Sequence, residues 1–360
     1  MFSDEEKREI YRKYKLSEEE HMELYGKIKR IWTMDKTPVD NPVAVIVGGQ
    51  TGAGKTGLIT YSKKMFADGN VVVINSDEIK PFHPRSEEIA REYPGEYTWI
   101  TAQESEDWTS RLFGEVRNEG YNIIFEVPMK NNRIADDAIV DLLSKGYTVI
   151  VRGLAVCDLE SRLSILERYE AQVAKRGWGR LVLPEHHDAT YNGMPNTIKY
   201  IEDTGRYDIL EIFRRGEAPG APELIFGEVN PKSIEKVKAS VGEREFVTKS
   251  NGESTYPDAR AAILGYRQDD YDRTLSGCCD RFRELKGCID TRKASENSVS
   301  EEEEQETDRI FLDLMKYYEQ LKKDREKDGK DVEMDSTTQK QDEEILESDG
   351  GKSETDSDER

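Results

Sequence analysis

The residues most able to do chemistry form a glycine-rich stretch with the spacing G-x-x-x-x-G-K-[ST]: Gly49, Gln50, Thr51, Gly52, Ala53, Gly54, Lys55 and Thr56. Glycines in such a loop allow backbone N–H groups to surround phosphate oxygens, and the start of the following helix favours negative charge. The lysine of this motif reaches the β- and γ-phosphates, and the hydroxyl that follows binds Mg²⁺. We therefore expect all eight residues to bind a nucleotide and Thr56 to bind the metal.

The loop alone does not distinguish an ATPase from a GTPase or a small-molecule kinase. The sequence contains no Asn-Lys-x-Asp, so this device for selecting guanine is absent. ATP and Mg²⁺ are the expected cofactors.

Two carboxylates lie where apolar runs end. Asp77 follows residues 71–75, and Glu126 follows residues 121–125. Ligands of open parallel sheets bind at the carboxyl ends of the strands. A carboxylate there can orient and deprotonate a hydroxyl that attacks the γ-phosphate, or it can hold Mg²⁺. Position alone also allows a helix cap or a loop carboxylate.

The elements that must position these groups follow an alternating pattern. Four apolar runs cover residues 43–47, 71–75, 121–125 and 147–151. Helical stretches follow or separate them at residues 55–66, 102–118, 132–144 and 158–175. Buried strands that alternate with helices predict an α/β fold, in which a P-loop NTPase-like parallel sheet has helices on both faces.

Four segments are predicted along the chain. They are N-terminal helices (1–38), the P-loop kinase domain (39–248), a poorly patterned extension (249–295) and an acidic, largely disordered tail (296–360) with one amphipathic helix. The tail carries −14 of the formal net charge of −21. Apolar residues between Ile310 and Leu321 could dock on the kinase, bind a partner or form only a marginal helix. Because this composition offers little apolar burial, we expect the kinase to fold without residues 296–360.

Composition argues against several partners. A pI near 4.8 disfavours nucleic acid, which needs clustered Lys and Arg. No apolar run is long enough to span a bilayer, and the first residues are charged where a signal peptide is apolar. The few cysteines show no disulfide pattern. These features predict a cytoplasmic protein with no membrane partner.

Together these motifs resemble the zeta toxin family, the P-loop kinases of bacterial toxin–antitoxin systems. The resemblance covers about residues 43–237. Besides the loop, the stretches that carry it are Asn75-Ser76-Asp77-Glu78 with His83-Pro84, Gly120 to Glu126, Arg168-Tyr169-Glu170, Pro184 to Asp188, and Phe226-Gly227-Glu228.

The resemblance implies phosphorylation of a hydroxyl of UDP-N-acetylglucosamine or a related nucleotide sugar. It assigns Asp77 as the base that faces this hydroxyl, and Glu126 to the substrate side. Arg168 and Arg180 correspond to two arginines that clasp the γ-phosphate, and one such arginine contributes about 10³–10⁵ in rate. The resemblance also implies a small helical antitoxin as protein partner.

Two departures from the family pattern lie on the acceptor side. Val127-Pro128-Met129-Lys130 replaces the usual Gly-Thr and arginine, and Ser110 stands where the family has a further carboxylate. A kinase for another acceptor, such as a nucleoside, an antibiotic or NAD, therefore stays open. A nucleotide-dependent binding switch is a third alternative, which Asp77 and the two arginines disfavour.

Overall fold

The structure is a computed structural model, which describes residues 3–66, 68–216, 220–241, 256–295 and 299–327. Six strands form one sheet in the order β2-β3-β1-β4-β5-β6. They are β1 (Val43–Gly48), β2 (Val72–Ile74), β3 (Ile123–Glu126), β4 (Thr148–Ala155), β5 (Ile209–Arg215) and β6 (Pro222–Val229).

The first four strands correspond to the four predicted apolar runs and run parallel, as the sequence predicts. Strand β5 joins them in parallel, and β6 pairs antiparallel with β5 at one edge. All six residues of β1 are buried, which explains why this strand appears as a continuous apolar run.

Helices follow most strands. Those of the N-terminal and central parts are α1 (Asp4–Tyr14), α2 (Glu18–Trp32), α3 (Lys55–Lys63), α4 (Ser76–Ile79), α5 (Ser86–Glu92), α6 (Tyr97–Glu119), α7 (Asn132–Ser144) and α8 (Asp158–Arg176). The remaining four are α9 (Pro184–Thr204), α10 (Ile234–Val241), α11 (Ala259–Lys293) and α12 (Glu301–Lys327).

Alternate residues of β1 pack into different apolar clusters, so both faces of the sheet are covered. Val45 and Val47 contribute to a cluster that includes Leu58 of α3. Ala44 and Ile46 contribute to the cluster that holds the apolar faces of α2, α6, α7 and α9. The predicted α/β architecture with helices on both faces is therefore confirmed.

Each of the two N-terminal helices begins after a serine that caps it, Ser3 for α1 and Ser17 for α2. Ser17 and Glu20 form a capping box at the start of α2, in which each side chain bonds the other's backbone N–H. The backbone N–H of Leu16 donates to Glu104 of α6 at 3.1 Å, and Leu16 is buried. The helical pair is thereby fixed against α6.

The C-terminal part contains more helix than its pattern suggested. Most of the segment 249–295 is the 35-residue helix α11, although residues 249–255 lie outside the described residues. The amphipathic helix of the acidic segment is α12, and its apolar side packs against α8 and α11. Residues 328–360 also lie outside the described residues, so the character of the predicted tail beyond α12 stays a prediction.

The expectation that residues 296–360 contribute little apolar burial is wrong for α12. Phe311, Leu314, Met315 and Tyr318 are all buried, in a cluster with residues of α8 and α11. The sequence shows this apolar stripe, but the charged average composition around it led to too low an expected burial. Within the described ranges, no helix combines the length and apolar character that crossing a membrane requires.

Candidate active site

The glycine-rich loop connects β1 to α3, as its sequence context predicts. Gly52 and Gly54 have φ angles of 80° and 96°, a region that other residues rarely adopt. A Cβ atom at Gly52 would lie 2.0 Å from the backbone oxygen of Ser161 in α8. The loop therefore lies directly against α8, and only glycine allows this approach.

Lys55, the first residue of α3, lies across the loop. Its Nζ donates to the backbone oxygens of Gly49 at 3.0 Å and Gln50 at 3.1 Å. The same atom lies 3.4 Å from Glu126 Oε1, so the ammonium group joins the loop to the end of β3. Thr56, the next residue of the helix, is exposed.

The remaining loop residues differ in how far their side chains are buried. Gln50 is buried, and its Nε2 donates to the backbone oxygen of Val156 at 2.8 Å. The Gln50 side chain thus lies beneath the loop, and its backbone is the part left for ligand binding. Ala53 is buried as well, whereas Thr51 is half-buried.

The ends of β2 and β3 are joined by Asn75. Its Oδ1 accepts from the backbone N–H of Asp77 at 2.8 Å, which caps the short helix α4. Its Nδ2 donates to Glu126 Oε2 at 2.7 Å. Because Glu126 also contacts Lys55, one chain of contacts runs from the loop to Asp77.

Asp77 is held between two cations. Lys80 Nζ lies 2.6 Å from Asp77 Oδ1, and the Arg180 guanidinium pairs with Oδ2. Burial alone would raise the pKa of Asp77, but the charges of Arg180 and Lys80 hold it well below its usual range. Asp77 is therefore ionised throughout the neutral range. Its side chain is still 38% exposed, which leaves one side open to a ligand.

Arg168 lies close to this group on α8. Burial lowers the pKa of Arg168, as does the neighbouring Arg180 charge, while the charges of Asp77 and Glu126 oppose this shift. The Nε and one terminal nitrogen of Arg168 are buried and find no hydrogen-bond partner among the described residues. Such donors are costly to bury unless an acceptor reaches them. Two guanidinium groups thus lie beside Asp77 with unused donor capacity.

The structure brings the predicted residues into one group. Lys55, Asp77, Glu126 and Arg180 form connected contacts, and Arg168 lies beside them. Clustered cations at the carboxyl edge of a parallel sheet can bind a phosphate chain, and a neighbouring carboxylate can orient a hydroxyl.

A metal ion at this site would need ligands from the nucleotide as well as from the protein. The described part of the chain contains no group of three or more His, Cys, Asp or Glu side chains that could hold an ion. Mg²⁺ often binds through only one or two protein groups together with substrate phosphates and water. The exposed hydroxyl of Thr56 on the first turn of α3 suits that arrangement.

Sequence reasoning missed Lys80 and Asn75. Lys80 lies three residues after Asp77, and a helical turn places such residues on one side. The pairing could therefore have been expected once a helix was predicted after Asp77. The role of Asn75 had no comparable signal, because Glu126 lies 51 residues away in the chain.

The acceptor-side departures have structural consequences. Val127 and Met129 are buried, and a Cβ atom at Gly48 would lie 2.1 Å from the Met129 sulfur. This segment therefore packs under β1. Ser110 is exposed on α6. Glu106, one helical turn earlier, is also exposed, and its negative charge acts to raise the pKa of Lys80. A carboxylate therefore still lies near this side of the site.

Fold and loop together define a P-loop protein of the α/β class. Residues 29–219 match the model of the zeta toxin family, and the chain belongs to this family.

Curated relatives agree with that assignment. The chain is 26% identical to Toxin zeta of Streptococcus agalactiae over 226 residues, which cover 62% of this chain and 76% of the relative. It is 28% identical to Toxin PezT of Streptococcus pneumoniae serotype 4 over 229 residues, 60% of this chain and 89% of the relative. A solved structure from the PezAT chromosomal toxin–antitoxin system of S. pneumoniae has a TM-score of 0.55 at 22% identity, covering 76% and 98% of the two chains. That likeness concerns the fold.

Proposed function

We propose that this protein is an ATP-dependent kinase that transfers the γ-phosphoryl group to a hydroxyl of UDP-N-acetylglucosamine or a related nucleotide sugar. The observation that carries the proposal is the group around Asp77. An ionised carboxylate pairs with Arg180, and Arg168 beside them keeps two buried nitrogen donors without partners among the described residues. Excess donor capacity next to a P-loop suits the γ-phosphate of a nucleotide.

The donor half uses the loop. Backbone N–H groups of residues 49–54 would surround the phosphates, and Lys55 would exchange its carbonyl contacts for the β- and γ-oxygens. Thr56 would bind Mg²⁺, which neutralises charge on the phosphates when bound. Arg168 and Arg180 would then bind the equatorial oxygens of the transferred group.

The acceptor half uses Asp77. Its low pKa makes it a weak base but a good hydrogen-bond acceptor for a hydroxyl. Phosphoryl transfer depends mainly on positioning and on charge stabilisation, so orientation of the acceptor is the larger part of this role. If Arg180 turns to the γ-phosphate, Asp77 loses one cation and becomes more basic where the proton must be accepted.

Membership of the zeta toxin family supports UDP-N-acetylglucosamine or a related nucleotide sugar as the acceptor. The buried positions of Val127 and Met129 favour a modified acceptor pocket, which makes a nucleoside, an antibiotic or NAD the alternative acceptors. A switch that only hydrolyses ATP is less favoured, because it gives Asp77 no function.

A small helical antitoxin is the proposed protein partner. The PezAT structure concerns a toxin–antitoxin system, and this chain shares its fold. The cytoplasm is the proposed compartment, since kinase and antitoxin would meet ATP there.

Purified protein incubated with γ-labelled ATP, Mg²⁺ and a panel of nucleotide sugars tests the proposal. We expect label to appear on UDP-N-acetylglucosamine or a close relative. Lys55→Ala should abolish transfer and weaken ATP binding, because the cation that bridges the phosphates is lost. Label on a nucleoside, an antibiotic or NAD alone would establish the alternative acceptor. ATP hydrolysis without any labelled acceptor would favour the switch.

A further inference from the structure

Arg215, the last residue of β5, donates hydrogen bonds to the backbone of the glycine-rich loop. Arg215 Nε donates to the backbone oxygen of Ala53 at 2.9 Å, and a terminal nitrogen donates to that of Gly52. In a trans peptide unit the C=O and N–H groups point in opposite directions. The hydrogen bond from Arg215 to the Ala53 carbonyl therefore fixes the direction of the Gly54 N–H, which is one of the donors that a phosphate would use.

Arg215 is in turn held by α8. One terminal nitrogen pairs with Glu160, and both terminal nitrogens lie 3.2 Å from Ser164 Oγ. Glu160 and Ser164 are one helical turn apart on α8, so their side chains share a face of that helix.

The same two residues of α8 also bind Arg281 of α11. Arg281 donates to Glu160 Oε2 at 2.5 Å and to Ser164 Oγ at 3.2 Å. It forms two further bonds to Glu167, at 2.7 and 2.8 Å. Burial opposes its charge, yet Glu167 and Glu160 raise the pKa of Arg281. Glu160 therefore links Arg215, which holds the loop, to Arg281 on α11.

A second contact joins α11 to the loop directly. Arg267 is 4% exposed, and one of its terminal nitrogens lies 3.2 Å from Gln50 Oε1. Helix α11 begins at Ala259, beyond residues 29–219 that match the family. These contacts are thus formed by a part of this chain that the family match does not include.

We propose that Arg281 is a positioning residue for ATP, which acts through Glu160 and Arg215 to hold the phosphate-binding loop in its binding conformation. The C-terminal helix α11 is then part of the nucleotide site, although it touches no predicted catalytic residue. This inference rests on the proposed binding of ATP at the loop.

The test measures ATP affinity by calorimetry and steady-state kinetics with full-length variants. Arg215→Ala should weaken ATP binding about tenfold and Arg281→Ala about fivefold, the usual range for coupling between sites. The double variant should bind no more weakly than Arg215→Ala, because both changes break one path. KM for ATP should rise more than kcat falls, and Arg281→Lys should restore part of the affinity. Arg309→Ala, which removes an α12 arginine that pairs with Glu306, is the matched control.

Thermal melting of each variant separates positioning from folding. If Arg281→Ala does not fold, Glu160→Gln keeps the shape of the bridging side chain and removes its charge. This variant should weaken ATP binding to the degree expected for Arg281→Ala. Unchanged ATP affinity in folded variants would overturn the inference, even if their stability falls. Fully additive losses in the double variant would overturn it too. A wild-type protein that binds no ATP would instead overturn the proposed function, on which this inference depends.

Discussion

At the scale of single residues, the site depends on how Asp77 is charged. Two cations and a partly buried position act on this carboxylate in opposite directions, and the cations prevail. Lys80 is one of them and is almost fully buried, so solvent does not screen it well. The charge state of Asp77 thus depends partly on Lys80, which is not itself expected to touch the phosphate.

Lys80→Met should move the acid limb of the transfer rate to higher pH. The change removes a cation that lowers the pKa of Asp77 and keeps the burial that raises it, so protonation of Asp77 begins at higher pH. In the wild type the limb due to Asp77 should lie below about pH 3.9, the ordinary value for Asp. Profiles of kcat/KM against pH, which report the pKa values of the free enzyme, measure the shift for both proteins. Lys199→Met, which removes an exposed lysine paired with Asp203, should leave the limb in place. Coincident limbs for wild type and Lys80→Met would refute this electrostatic role.

The sequence predicts the position of a site residue where that residue directly follows a strand. The loop, Asp77 and Glu126 follow apolar runs, and parallel strands bring their ends to one edge. Arg180 is different, because it lies in a segment between α8 and α9 without periodicity, and its pairing with Asp77 joins distant parts of the chain. Only the family resemblance indicated its role.

At the scale of elements, the first four strands and the central helices were predictable from the sequence, and α11 was not. Strands of a covered parallel sheet are apolar throughout, which gives a clear signal. Helix α11 instead contributes Ala262, Ile263 and Tyr266 to the main core, and Phe282 and Leu285 to the cluster shared with α8 and α12. Because the first and later parts of α11 pack into different clusters, no single apolar stripe runs along the helix.

A chain that ends at residue 295 should be markedly less stable than the full chain. Removing α12 exposes the cluster that Phe311, Leu314, Met315 and Tyr318 cover, and burial of each such side chain contributes about 1.5–3 kcal/mol. We expect a lower melting temperature and a tendency to aggregate, measured by calorimetry and light scattering. A chain that ends at residue 327 keeps α12 and is the control, which should melt like the full chain. Equal melting of all three proteins would show that α12 does not contribute to the folded core.

At the scale of the whole molecule, the site gathers side chains from several layers at one edge of the sheet. The loop and the ends of β2 and β3 supply Lys55, Asp77 and Glu126, while α8 and the segment after it supply Arg168 and Arg180. The C-terminal helices pack behind α8. We propose that this assembly transfers a phosphoryl group to an acceptor oriented by Asp77.

The most direct test of that claim is the transfer rate of Asp77→Asn, measured together with its ATP affinity on one preparation. We expect ATP and Mg²⁺ to bind as tightly as before or more tightly, because Arg180 and Lys80 lose a competing carboxylate. Transfer to the acceptor should fall by a factor on the order of 10²–10⁴, the usual contribution of a positioned general base. Loss of ATP binding together with Mg²⁺ dependence would make Asp77 a metal ligand instead. Unchanged transfer by a folded Asp77→Asn protein would contradict the proposed mechanism.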